Sequence, residues 1–130
     1  MKKEKKIRVL MVEPGKHPQE HWLDNDLDSL QKAVIIDAPS QGLIEMVDLE
    51  KNVVLICNEE GKLLGLKGNR EYFGEVFAGV FYIAGSDRYR NLCSLSEADM
   101  EKYRQIFWEP VTITDDQVMQ SIYIEFMPWL

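Results

Sequence analysis

The chain is poor in the residues that dedicated chemistry usually draws on. It holds 2 histidines and 2 cysteines among 130 residues, too few for a cysteine-rich metal site or a disulfide framework. Cys57 and Cys93 stand far apart with no C-x-x-C spacing. One disulfide is possible on parity alone, but two reduced thiols in a cytoplasmic protein are the expected state. With 8 Gly and 5 Pro the chain is neither collagen-like nor a flexible linker. No apolar run approaches the roughly 20 residues of a membrane span, so no membrane association is expected. Met1–Lys6 is basic, but Ile7–Val12 behind it is short and interrupted by Arg8, unlike a signal peptide. Basic residues are outnumbered by acidic ones, 15 to 22, for a net charge of −7. That argues against direct nucleic-acid binding, which relies on Lys and Arg meeting phosphate.

What is present is the composition of a soluble globular domain, 45% apolar and 28% charged. The charge is uneven. Residues 1–8 carry five basic and one acidic side chain, so the remainder of the chain stands at −11. Residues 1–6 are expected to be a frayed basic arm. Residues 7–107 are expected to be a single domain, with 108–130 an apolar extension packing on the domain or on a partner chain.

Ile7–Val12 reads as a strand closed by Glu13-Pro14-Gly15, and Gln19–Leu23 as a short returning strand. A helix starts at Asn25 or Asp26, with Leu27, Leu30 and Val34 as its apolar stripe, and ends at Asp37-Ala38-Pro39-Ser40. Gly42–Leu49 reads as a strand. Val53–Cys57 and Val76–Ala84 are continuous apolar runs, the pattern of central strands covered on both faces. Ser96 is an N-cap with Asp99 at N3 and Leu95 and Met100 as a hydrophobic staple. Met100, Tyr103 and Phe107 then form the stripe of a second helix ending before Pro110. Val118–Leu130 fits either a helix face or a strand, and its Ile-Tyr-Ile-Glu-Phe content favours a strand slightly. The fold class is α+β: a mostly antiparallel or mixed sheet of about five strands with two helices packed on it. One helical layer would leave part of such a sheet bare, so the C-terminal segment or a second copy, as a homodimer, would have to cover the rest.

Three motifs have stronger bland explanations. His17-Pro18-Gln19-Glu20-His21 matches H-x-x-E-H, but zinc chemistry needs both imidazoles on one helical face, and Pro14, Gly15 and Pro18 disfavour a helix. Asp24-x-Asp26-x-Asp28 copies the start of a calcium loop, yet Ser29 and Ile35 occupy the places of the required Gly and Glu. These carboxylates suit a helix N-terminus instead. Gly65-Leu66-Lys67-Gly68 is a G-x-x-G behind an expected strand in an acidic chain, a poor setting for nucleic-acid clamping. No metal, cofactor or catalytic residue is assigned.

The most distinctive stretch is Asn58-Glu59-Glu60-Gly61-Lys62, read as a hairpin turn closed by a left-handed Gly, with Asn69-Arg70 following. Two carboxylates, two amides and a guanidinium could line a small polar site, which makes Asn58, Glu59, Asn69 and Arg70 the candidate binding residues. The structural alternative is a hairpin secured by an Arg-to-Glu pair.

Several segments carry a resemblance: Val12-Glu13-Pro14-Gly15-Lys16, Leu27–Val34, Gly42-Leu43-Ile44-Glu45, Cys57–Lys62, Asn69-Arg70 and Ala78–Ile83. In order and spacing, residues 7–107 resemble a domain-of-unknown-function family of short proteins from bacterial phages, plasmids and conjugative elements. Ile36–Gln41 stands out as an extra loop and residues 108–130 as an extension. The resemblance implies a genetic setting and a cytoplasmic location, without a reaction. Two functions follow as expectations. The first is a non-enzymatic accessory protein of a mobile element that binds a protein partner, in one form an acidic DNA mimic inhibiting a DNA-binding protein. The second is a small-ligand-binding domain or enzyme built on Asn58, Glu59, Asn69 and Arg70.

Overall fold

Three apolar strands alternate in a way that decides the architecture. In β4 (Val53–Asn58), Val53, Leu55 and Cys57 enter one core while Val54 and Ile56 enter another. In β7 (Phe81–Ser86), Phe81 and Ile83 join the first core and Tyr82 and Ala84 the second. In β1 (Lys6–Val12), Leu10 and Val12 face the first and Ile7 and Val9 the second. Side chains alternate across a pleated strand, so these three strands form the middle of a sheet buried on both faces. The computed structural model describes residues 4–35 and 43–126, with side chains through Tyr123. In it, β2 (Gln19–Asp24) and β3 (Ile44–Glu50) flank that centre in the order β2-β1-β7-β4-β3, and every pairing is antiparallel. The short β8 (Leu92–Cys93) pairs with β7.

Each face has its own cover. α1 (Leu27–Ala33) turns Leu30, with Val34 just past its end, into the second core, and the Tyr82 hydroxyl donates to the Ala33 carbonyl at 3.1 Å. α2 (Glu97–Ile106) sends Met100 and Tyr103, with Phe107 as its C-cap, into the first. Beside α2 lies a separate two-stranded sheet of β5 (Gly68–Tyr72) and β6 (Glu75–Ala78), whose Phe77 joins the same core. The fold is α+β, and because α1 and α2 take opposite faces, the two-sided burial needs no second copy. Full burial of one such aliphatic or aromatic side chain contributes roughly 1.5–3 kcal/mol.

The helix starts follow the sequence. Asp26 accepts from Ser29 N at 2.8 Å, and Ser96 from Asp99 N at 3.1 Å. Leu95 and Met100 are both buried. Leu27 departs from its expected stripe and is 61% exposed. With a helix of 7 residues, Leu30 and Val34 suffice for the contact.

Four other expectations are corrected. Three helices are present among the described residues, because α3 (Asp115–Phe126) replaces the strand favoured for the final stretch. The deciding signal is Thr114-Asp115-Asp116-Gln117, a reciprocal capping box: Gln117 N donates to Thr114 Oγ1 (3.1 Å) and Thr114 N to Gln117 Oε1 (2.7 Å). The run Val76–Ala84 is two strands, not one. Gly79, at φ +83°, lets the chain leave β6 and enter β7 in a different sheet. Asn58–Lys62 is not a hairpin turn, since β4 pairs with β3 and β7. Residues 59–65 coil instead into a helical turn ended by paired bonds, Leu66 N to Gly61 O (3.0 Å) and Gly65 N to Lys62 O (3.2 Å). The residue in the left-handed region is Gly65 (φ +74°), so the G-x-x-G begins with a helix terminator. Gly61 is needed for space, because a Cβ there would stand 2.6 Å from the Ala78 carbonyl. The fourth correction, at Arg70, concerns the candidate site.

The other motifs resolve locally. His21 lies on β2 and His17 stacks on Trp108 with ring centroids 4.0 Å apart, so the two do not share a helical face. Asp26 is the α1 cap, while Asp28 pairs with Lys32 and Asp24 with Lys6. Both cysteines are free thiols. The expected break at 37–40, the extra loop at 36–41 and the last residues of the apolar tail lie outside the described residues.

Candidate functional site

Asn58 ends β4 in the interior. Its Nδ2 donates to the Val34 carbonyl (3.3 Å) and its Oδ1 accepts from Glu60 N (2.8 Å), which fixes the start of the following turn. Glu59 is exposed. With Glu45, Lys62 and Glu75 these two residues line a narrow cleft of about 20 Å³, little more than room for one water.

Asn69 and Arg70 stand elsewhere. Asn69 is fully buried at a bulge in β5, and its Nδ2 donates to the Val12 and Gly79 carbonyls, both at 2.9 Å. It therefore ties the hairpin to β1 and to the β6–β7 link. Arg70 is 2% exposed. Its Nε and Nη2 donate to the Phe107 carbonyl (3.1 and 3.0 Å), Nη2 also to the Lys16 carbonyl (2.6 Å), and Nη1 to the Asn69 carbonyl (3.2 Å) and Oδ1 (2.8 Å). A guanidinium has five N–H donors, and these contacts use them all. The expected Arg-to-Glu pair does not form, and no carboxylate among the described residues meets this cation. Its electrostatic partner is the carbonyl end of α2, where aligned peptide dipoles place roughly half a negative charge. Burial pushes the Arg70 pKa below its usual value.

The structure thus brings Asn58 beside Glu59 and Asn69 beside Arg70, and no described cleft is lined by both pairs. Arg70 borders a second cleft, of about 270 Å³, with Phe107, Val111 and Ile113, but it has no donor left to offer there. Ile113 also sits against Gly68, where a Cβ would lie 2.8 Å away, so residues beyond Phe107 pack on the hairpin.

Composition and spacing pass over one residue of the same hairpin. Tyr72 pairs with Glu75, which leaves Phe73-Gly74 as a two-residue turn with φ +49° and +80°. Such turns favour Asn-Gly, because both central residues adopt the left-handed region. Phe73 occupies the Asn position and is 90% exposed, with its ring edge-on to Tyr72 at 4.5 Å. The available signal was a lone x-Gly between two short strands.

Residues 7–107 match a family described as a domain of unknown function, DUF3846. The chain belongs to the DUF3846 family. No curated protein and no solved structure matches it. The DUF3846 match closes at Phe107, the residue whose carbonyl receives Arg70, so the Arg70 clamp lies within the family domain and α3 lies beyond it.

Proposed function

We propose that this DUF3846 protein is a non-enzymatic accessory protein of a mobile genetic element that acts by binding another protein, with the β5–β6 tip as a contact point. One observation carries the reading. Phe73 combines a backbone conformation costly for its residue type with near-complete exposure of an aromatic ring. Neither property stabilises the free protein, and an aromatic anchor of this kind is what a partner pocket buries. Glu71 beside it is exposed and the chain is acidic overall, which favours a partner with a basic rim. The mobile-element setting rests on the family resemblance.

The acidic-mimic form has less support. Glu20 lies between Arg8 and Arg104, Glu50 meets Lys102, and Asp48 meets Arg90. Carboxylates thus alternate with cations instead of forming one continuous field. The small-ligand alternative is weakened by the buried, bonded state of Asn58, Asn69 and Arg70.

The test is site-specific crosslinking from position 73 in the host cell, using a photoreactive phenylalanine. A discrete crosslinked protein that is lost when the probe moves to exposed Lys67 is the expected result. Equal labelling from both positions, or none, overturns the assignment of the tip.

A further inference from the structure

A cleft of about 550 Å³ opens at one end of the main sheet, between the β3–β4 turn and the β7–β8 loop. Its volume falls within the range of small-molecule sites. Two different turns supply its basic groups: Lys51 from the first, Arg88 and Arg90 from the second. Both turns hold a non-glycine residue in the left-handed region, Asn52 (φ +67°) and Arg90 (φ +68°). Asn tolerates that region and Arg does not, so Arg90 is held there against its preference. The loop around it is rigidly organised. Asp87 accepts from Tyr89 N (2.8 Å), Asn91 N (2.9 Å) and Asn91 Nδ2 (3.4 Å), and Ser86 N bonds to the Asn52 carbonyl (2.9 Å), joining the two turns.

The balance of occupied and free groups in this cleft is unusual. Every carboxylate on its wall is engaged: Asp48 with Arg90, Glu50 with Lys102 and the Tyr103 hydroxyl, and Asp87 with its own loop. Of the cations, Arg90 is taken by Asp48, whereas Lys51 and Arg88 meet no carboxylate among the described residues; Arg88 bonds to the Tyr89 hydroxyl (2.8 Å) and lies over its ring, 4.9 Å from the centroid. Ser86 is 8% exposed, lines the cleft, and its hydroxyl has no hydrogen-bond partner among the described residues. The Ser86 hydroxyl opens to the cleft beside two cations that pair with no carboxylate among the described residues, in a protein of net charge −7, a setting suited to an anionic ligand.

We propose that the cleft binds a small phosphate monoester. Its three terminal oxygens would take the Ser86 hydroxyl, the Lys51 ammonium and the Arg88 guanidinium, donors that line one cleft from two turns. This site is separate from the Phe73 tip and does not depend on the partner-binding reading.

The test is titration of the full chain with ribose 5-phosphate, followed by amide proton–nitrogen spectra, with ribose and with sodium chloride at matched ionic strength as controls. Saturable shifts at Lys51, Asn52, Ser86 and Arg88 are expected from ribose 5-phosphate alone. The Lys51→Ala/Arg88→Ala pair, at exposed positions, should weaken binding by about tenfold or more, and Ser86→Ala should weaken it by a smaller factor. Shifts equalled by ribose or by salt overturn the proposal. So does binding unchanged in the double variant, the lack of saturation at millimolar ligand, or binding of a phosphoserine peptide without ribose 5-phosphate. Phe73→Asn leaves the titration unchanged, so failure here is distinct from failure of the partner reading.

Discussion

Arg70 and Phe73 sit three residues apart on one hairpin with their usual places exchanged. The arginine is 2% exposed and the phenylalanine 90%. Each placement breaks an ordinary preference, but they differ in what surrounds them. Around Arg70 every donor is matched, to carbonyls from the Lys16 loop, the α2 end and its neighbour Asn69. Around Phe73 little is matched: one ring edge, a left-handed backbone and solvent. The buried charge is explained by the fold it joins together. The exposed ring gains almost nothing from the fold, which is the ground for proposing it as a partner contact.

That comparison breaks most sharply at Arg70. Arg70→Met removes the clamp and takes its donors away from the Phe107 and Lys16 carbonyls. The expected loss is about 3–5 kcal/mol, read as a shifted midpoint in urea unfolding. Arg70→Lys should recover only part, because a lysine has three donors and no planar fork. A neutral or stabilising Arg70→Met, an outcome known for some buried charges, would remove the structural reading of this residue. Asn69→Ala comes next, at about 2 kcal/mol, since it orphans the Val12 and Gly79 carbonyls and removes one Arg70 acceptor.

The same contrast marks what the sequence made legible. The continuous apolar run Val53–Cys57, the Ser96 cap and the Met100–Phe107 stripe are local patterns, and each led to the correct element. Two-sided burial was also readable, but not its solution, because nothing local says that α1 and α2 take opposite faces. Asn69-Arg70 stood out as a polar pair, yet its partners come from residues 12, 16, 79 and 107. Long-range backbone carbonyls leave no trace in a one-dimensional pattern. Gly79 was visible inside the run Val76–Ala84, but whether a glycine bends a strand or ends it depends on which sheet receives the next segment. The Thr114–Gln117 capping box was a local signal that the sequence reading passed over, relying instead on β-branched content, a weaker indicator.

At Phe73 the comparison predicts a change of the opposite sign. Phe73→Asn places a residue suited to the left-handed region in the turn and withdraws an exposed ring. Stability is expected to rise by about 0.5–1 kcal/mol while partner binding falls. Thermal unfolding and the crosslinking partner's affinity measure the two sides. If Phe73→Asn destabilises the protein, the ring contributes to folding and the case for it as an anchor weakens.

The smallest effect lies on the surface, where charge is exposed and paired, in contrast to Arg70. Hydrogen bonds from Arg8, then the Arg104 contact, hold the Glu20 carboxyl below its ordinary value. Lys102 and the Tyr103 hydroxyl do the same for Glu50. A carboxylate with a depressed folded pKa contributes stability above its unfolded value, near 4.3, and loses that contribution as pH falls through the folded value. Glu20→Gln should therefore flatten the acid limb of a melting-temperature profile below about pH 4.5 and leave the neutral region nearly unchanged. Glu50 should preserve a residual slope. Added salt should shrink the difference between the two proteins, because these groups are open to screening, whereas the Arg70→Met loss should persist at high salt. If salt reduced both effects equally, the Arg70 clamp would be acting as a surface charge, and the distinction between the buried cation and its exposed counterparts would fail.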